Sequence, residues 1–233
     1  MIKCLSWFAS TLIAVLALSN GANANQTTLL RFVFIGDSLT QGYGVKPDQA
    51  FPELLVRALN TQVSGRWVAI NAGVSGALSA EGPARVRWQL KGRPNAAMVA
   101  LGANDGLQGL PAGKLKANLD STLKLLLDAK VPTVFVGMRM VKNLGDRYVG
   151  DFEKTYLDLA DKYAPLFRKA QVAFVYDPFL LDGVALVNAL NISDGRHPNV
   201  AGHQHIAKRL DPIILNFAKQ IETTVQNKTG TKR

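Results

Sequence analysis

Five short, largely apolar runs separated by longer amphipathic stretches restrict what this chain can become. The runs occupy 30–35, 67–71, 97–101, 133–138 and 172–176. They are too continuous for strands with one wet face and suit parallel strands covered on both sides. Between them, Phe51, Leu54, Leu55, Ala58 and Leu59 recur at helical spacing, with Pro52 suited to a first turn. Leu115, Leu119, Leu123 and Leu126 form a second stripe. Phe152, Tyr156, Leu159 and Tyr163 form a third, which Pro165 disturbs. A last helix is expected from near Val200 through Ile206, Leu210 and Ile214, with Pro212 as a candidate break. Strand and helix alternate to the end, which predicts an α/β fold with a parallel sheet and no second domain. Ligands of such sheets bind at the carboxyl ends of the strands, so functional residues should lie just after strands and converge there.

The N-terminal stretch reads differently. Lys3, the apolar segment 12–18 (LIAVLAL) and the small residues of Ala22-Asn23-Ala24 have the layout of a secretory signal peptide. Cleavage after Ala24 would leave a domain of 25–233. The apolar segment is too short to span a bilayer comfortably. Cys4 is the single cysteine and would leave with the signal. The mature chain then has no disulfide, no thiol nucleophile and no cysteine-based zinc site. With 48% apolar and 19% charged residues the chain can bury a real core. The net charge of +10 is spread over scattered lysines and arginines without interleaved aromatics, which argues against nucleic-acid binding. Such a surface suits anionic lipids or acidic substrates, or is ordinary solvation. The tail after Val225 reads as a frayed, solvated end.

Four turns carry the chemistry. Gly36-Asp37-Ser38-Leu39 follows the first run and can hold a serine exposed at the sheet's rim, although Asp-Ser in a turn is commonplace. Asp194-Gly195-Arg196-His197-Pro198-Asn199 precedes the last helix. A serine hydroxyl needs a base to take its proton, and a histidine does this best when a carboxylate orients it. Asp194 is three residues before His197, a spacing that permits contact. The same residues also read as a helix start with Asp and Asn caps. Turns 71–76 and 102–106 contain Gly73 and Asn104, which could donate to a developing oxyanion or simply shape turns. Together the four turns supply a nucleophile, a base with its orienting acid, and two donors.

With these motifs in order, the sequence resembles the SGNH, or GDSL, hydrolase superfamily. Gly36-Asp37-Ser38-Leu39, Gly73, Gly102-Ala103-Asn104-Asp105 and Asp194-Gly195-Arg196-His197 stand for its four blocks. Segments 37–44, 103–110, 137–140 and 194–202 are similar to an exported bacterial group of acyl-CoA thioesterases, lysophospholipases and arylesterases. The resemblance implies a three-layer α/β/α sandwich with a flavodoxin-like sheet of about five parallel strands. It implies Ser38 as nucleophile, His197 as base and Asp194 as its orienting acid. The Ser38 N–H, the Gly73 N–H and the Asn104 side chain would form the oxyanion hole. No metal and no cofactor is required. The implied substrate is a small-molecule or lipid acyl ester or thioester, and the implied location is the periplasm. The implied assembly is a monomer or weak oligomer. Phe179, Leu180, Leu181, Val184, Leu186 and Val187 could line an acyl groove or a buried edge. Arg196 departs from the aliphatic residue usual beside this histidine and could favour acidic substrates or point to solvent. His203 and His205 match no block and read as packing or surface residues. Carbohydrate deacetylation and an inert binding module are the alternatives on the same fold.

Overall fold

The computed structural model describes residues 29–64, 66–140, 144–169, 172–177 and 189–230. Its centre is one parallel sheet of β1 (Leu29–Gly36), β2 (Arg66–Gly73), β3 (Ala96–Ala100), β4 (Thr133–Gly137) and β5 (Val172–Tyr176). The strand order is β2-β1-β3-β4-β5, the flavodoxin-like arrangement. Every β residue of β3 and β4 is buried, as expected of strands covered on both faces. The expectation of complete burial fails at the edge. Among the described residues β2 has one neighbouring strand, β1, and Ile70 and Asn71 are exposed on it.

Helix α1 (Ser38–Gln41) follows β1 directly, and α2 (Phe51–Leu59) leads on to β2. Then come α3 (Gly82–Leu90), α4 (Ala103–Leu107), α5 (Ala112–Asp128), α6 (Asp146–Tyr163) and α7 (Val200–Gly230). α2 packs on α7 over one part of the sheet, while α3, α5 and α6 pack side by side as a second group. The predicted stripes are largely the buried ones: Phe51, Leu55 and Leu59 in α2, where Leu54 and Ala58 are only half-buried, Leu115, Leu119, Leu123 and Leu126 in α5, and Phe152, Tyr156, Leu159 and Tyr163 in α6. Each such side chain contributes about 1.5–3 kcal/mol by leaving water.

Three features differ from the sequence reading. Helix α3 had no apolar stripe to announce it, because only Gly82 and Val86 are buried and Trp88 lies 66% exposed. Pro212 does not break α7; it sits on the exposed side, where water can serve the carbonyl that proline's missing N–H leaves unbonded. The end beyond Val225 stays helical to Gly230. Its preceding turn is anchored by buried Glu222, which accepts from Trp67 Nε1 at 2.8 Å and from Ser64 Oγ at 3.1 Å. The signal-like segment 1–24 and Phe179, Leu180, Leu181, Val184, Leu186 and Val187 lie outside the described residues.

Candidate active site

Parallel strands place their successor turns at one edge, and the chemistry-bearing residues follow that rule. Ser38 opens α1 immediately after β1. Asp37 caps this short helix, its Oδ1 accepting the Leu39 N–H at 3.0 Å. Asp37 is fully buried, and its Oδ2 has no hydrogen-bond partner among the described residues. Burial pushes its carboxyl up to about 6, against the pull of the Leu39 and Asp37 N–H groups and of His197 and Arg85.

His197 arrives from the far end of the chain, 159 residues away, and its Nε2 lies 2.8 Å from Ser38 Oγ. Its Nδ1 lies 2.6 Å from Asp194 Oδ2. The other Asp194 oxygen accepts the backbone N–H groups of Arg196 at 2.9 Å and His197 at 3.0 Å. Partial burial pushes the Asp194 carboxyl upward, but the His197 N–H, the His197 ring and the Arg196 N–H together hold it down at about 2. The carboxylate is therefore ionised at neutral pH and favours a proton on the facing Nδ1. That tautomer leaves Nε2 as an acceptor for the Ser38 hydroxyl proton. Tyr43 lays its half-exposed ring against the imidazole, with centroids 4.6 Å apart.

The expected oxyanion donors separate into two kinds. Asn104 donates one amide N–H to Ala77 O at 3.1 Å, which fixes its side chain and leaves the second N–H. The Gly73 N–H, in contrast, already donates to Asn71 Oδ1 at 3.0 Å. Glycine is needed at position 73 for a different reason: a Cβ there would meet the Gln41 backbone nitrogen at 2.2 Å. Three residues further on, Gly76 has φ 78° and open space around it, and its N–H has no partner among the described residues. From sequence the donor role in turn 71–76 was expected of Gly73, and Gly76 closes the same turn. A second glycine in the same loop was the available signal.

The loop after β2 and the helix after β3 are also joined by a buried pair that the sequence reading missed. Ser79 donates its hydroxyl to Asp105 Oδ1 at 2.5 Å and its N–H to Asp105 Oδ2 at 2.8 Å. Asn118 Nδ2 completes the set at 3.0 Å from Ser79 Oγ. Arg196 is exposed. His203 is fully buried, its Nδ1 accepting the Phe51 N–H at 3.2 Å, in keeping with a packing role. Among the described residues no group of three or more His, Cys, Asp or Glu side chains is arranged to hold a metal ion.

A doubly wound parallel sheet with a serine, a histidine and a carboxylate linked at its carboxyl edge has the layout of a serine hydrolase. Comparison with known proteins identifies which kind. The profile of the GDSL-like lipase/acylhydrolase family matches residues 34–205. The arylesterase of Vibrio mimicus is 31% identical over 209 residues, 89% of this chain and 95% of that protein. The thioesterase 1/protease 1/lysophospholipase L1 of Escherichia coli K12 is 31% identical over 214 residues, 89% of this chain and 94% of that protein. A crystal structure of the psychrotrophic esterase EstA from Pseudoalteromonas sp., inhibited by monoethylphosphonate, superimposes with a TM-score of 0.69. It is 26% identical and covers 81% of this chain and 98% of its own. The chain belongs to the GDSL-like lipase/acylhydrolase family and is an ester-hydrolysing enzyme.

Proposed function

We propose that ester cleavage by this enzyme runs through an acyl intermediate on Ser38. The observation that carries the reading is the chain of contacts from Ser38 Oγ to His197 Nε2 at 2.8 Å and from His197 Nδ1 to Asp194 Oδ2 at 2.6 Å. His197 takes the hydroxyl proton as Ser38 Oγ attacks the acyl carbonyl carbon. Asp194 stabilises the imidazolium that forms. The oxyanion accepts hydrogen bonds from the Ser38 N–H, the Gly76 N–H and the second N–H of Asn104. His197 then protonates the departing alkoxide or thiolate as its bond to the carbonyl carbon breaks. A water molecule, deprotonated by His197, attacks the acyl carbon; the bond to Ser38 Oγ breaks, His197 returns the proton to Oγ, and the acid departs.

The substrates are esters or thioesters of acyl chains. Support comes from the relatives' activities as an arylesterase and as a thioesterase and lysophospholipase. Tyr43, Val74, Leu107 and Leu144 add to it: all four are exposed, and all follow strands at the same edge of the sheet. Residues 1–24 direct export, and the enzyme works in the periplasm. Fractionation of cells with N-terminal sequencing checks both, the expected first residue being Asn25.

The direct test is turnover of p-nitrophenyl esters from acetyl to palmitoyl. Ser38→Ala is expected to lose about 10⁴–10⁶-fold in kcat with its fold intact. Activity surviving in Ser38→Ala would overturn the assignment of the nucleophile. Turnover rising with chain length supports the acyl-chain reading, and turnover confined to acetyl esters would replace it with deacetylation.

A further inference from the structure

The parallel ladder between β1 and β2 ends at the pair Gly36 and Gly73, where each carbonyl oxygen has a second lone pair open to a side-chain donor. Arg85 uses two of these carbonyls. From α3 its Nη1 donates to Gly36 O at 2.9 Å and its Nη2 to Ala72 O. The guanidinium is planar and presents its N–H groups as a rigid fork, so one side chain ties two strand ends at a set separation.

Both carbonyls are mechanically coupled to the site. Gly36 is two residues before Ser38. Gly36 O also accepts the Val74 N–H at 3.1 Å, which pins the start of the loop that carries Gly76. Ala72 O belongs to the same peptide plane as the Gly73 N–H, and in a trans peptide the two point in opposite directions. Arg85 grips that plane from one side. On the other side Asn71 Oδ1 accepts the Gly73 N–H, and Asn71 Nδ2 in turn donates to Thr40 O of α1 at 2.9 Å. Gln41 Oε1 accepts from the Ser75 N–H at 2.7 Å and the Ser75 hydroxyl at 2.6 Å. The loop after β2 is thus stitched to the serine-bearing helix at several points, with Arg85 as the cationic clamp beneath.

We propose that Arg85 is a positioning residue, holding the loop that carries the Gly76 N–H at the distance from Ser38 that oxyanion stabilisation requires. This rests on the proposed roles of Ser38, Gly76 and Asn104. Arg85 touches no reacting atom and acts through the backbone it grips. A misplacement of about 1 Å in such a site is enough to lose about 100-fold in rate. Lysine keeps the charge but offers a point donor where two carbonyls must be bridged.

The experiment compares wild type, Arg85→Lys, Arg85→Met, Asn104→Ala, the double variant Arg85→Met/Asn104→Ala, and Ser38→Ala. Circular dichroism and melting curves establish folding. The readouts are kcat and KM on a p-nitrophenyl ester and the rate of inactivation by a p-nitrophenyl alkylphosphonate. Arg85→Met is expected to lose about 10–100-fold in kcat with KM changed by less than about twofold, and to slow phosphonylation by a similar factor. Arg85→Lys should be impaired in the same direction. Because the loop that Arg85 holds also fixes the Asn104 side chain through Ala77 O, the double variant should fall well short of the product of the two single losses. A folded Arg85→Met or Arg85→Lys with wild-type kcat would overturn the proposal, as would full multiplicative loss in the double variant. If Arg85→Met does not fold, Arg85→Lys carries the test. Ser38→Ala separates the two levels: if it stays active, the site assignment itself fails, whereas an inert Ser38→Ala beside fully active Arg85 variants removes the role of Arg85 alone.

Discussion

The two halves of the site are built on opposite plans. The Ser38 side is woven from distant parts of the chain. Asp37 and Ser79 are fully buried, Asp105 nearly so, and each hydrogen bond of the Ser79–Asp105–Asn118 set joins residues at least 26 apart. The turn that presents His197 is largely self-contained and wet. Ile192 N–H donates to His197 O at 2.8 Å, Asn191 and Pro198 form an isolated antiparallel bridge, and Asp194 accepts the Arg196 and His197 N–H groups. Asp194, Gly195 and Arg196 are exposed. A buried network resists change because every polar group left unpaired costs a desolvation penalty of about 1–3 kcal/mol. A solvated turn answers to water instead, so there chemistry can be altered with little effect on stability.

That contrast gives its largest expected effect at Asp194. Asp194→Ala should lower kcat by about 10⁴-fold, by releasing the imidazole's tautomer and orientation. It should lower the melting temperature less than removal of a buried carboxylate does, because Asp194 is exposed although its depressed pKa marks some stabilisation. A large drop in melting temperature would break the comparison. Asp105→Ala should behave in the reverse way, destabilising the fold by about 2–4 kcal/mol in denaturant titration, because it strands the Ser79 N–H and hydroxyl in the interior. Loss of activity without loss of stability in that variant would place Asp105 with the wet half.

Asn199 joins the two plans. Its Nδ2 donates to Ala189 O at 2.9 Å and Asn191 O at 3.1 Å, while its Oδ1 accepts the Gly202 N–H at 3.0 Å as the cap of α7. Asn199→Ala should cost about 1–2 kcal/mol and lower kcat modestly, measured by melting and by ester turnover. A further effect is electrostatic and depends on pH. The Asp37 carboxyl, raised to about 6 by burial, keeps its proton in the folded state at pH values where the unfolded chain has lost it. Stability from this group therefore falls as pH rises from about 4 to about 6. The melting temperature of Asp37→Asn relative to wild type should climb across that window and be level above it. A flat difference would mean that Asp37 is better solvated than its burial implies.

Legibility in the sequence tracked the same division. Strong periodicity revealed β3, β4, α2, α5 and α6, since each must bury a continuous face or stripe. Helix α3 stayed hidden because it buries so little, yet it carries Arg85. The Asp194–His197 contact could be anticipated from spacing, because a three-residue separation with a glycine inside bends back on itself. Gly195 does so at φ 67°. The role of Gly73 could not be anticipated. A glycine demanded by close backbone approach and one left with a free N–H look the same as letters, and only the position of Asn71 and Gln41 tells them apart.

By itself, then, the sequence determined the class of fold and the kinds of group at the carboxyl edge, because period and composition are local properties of the chain. Tertiary structure decided which donors are free, which are already bonded, and that Arg85 grips the ends of β1 and β2. Those outcomes depend on which atoms meet across long separations, and hydrogen-bond competition among them is resolved only once the strands are side by side.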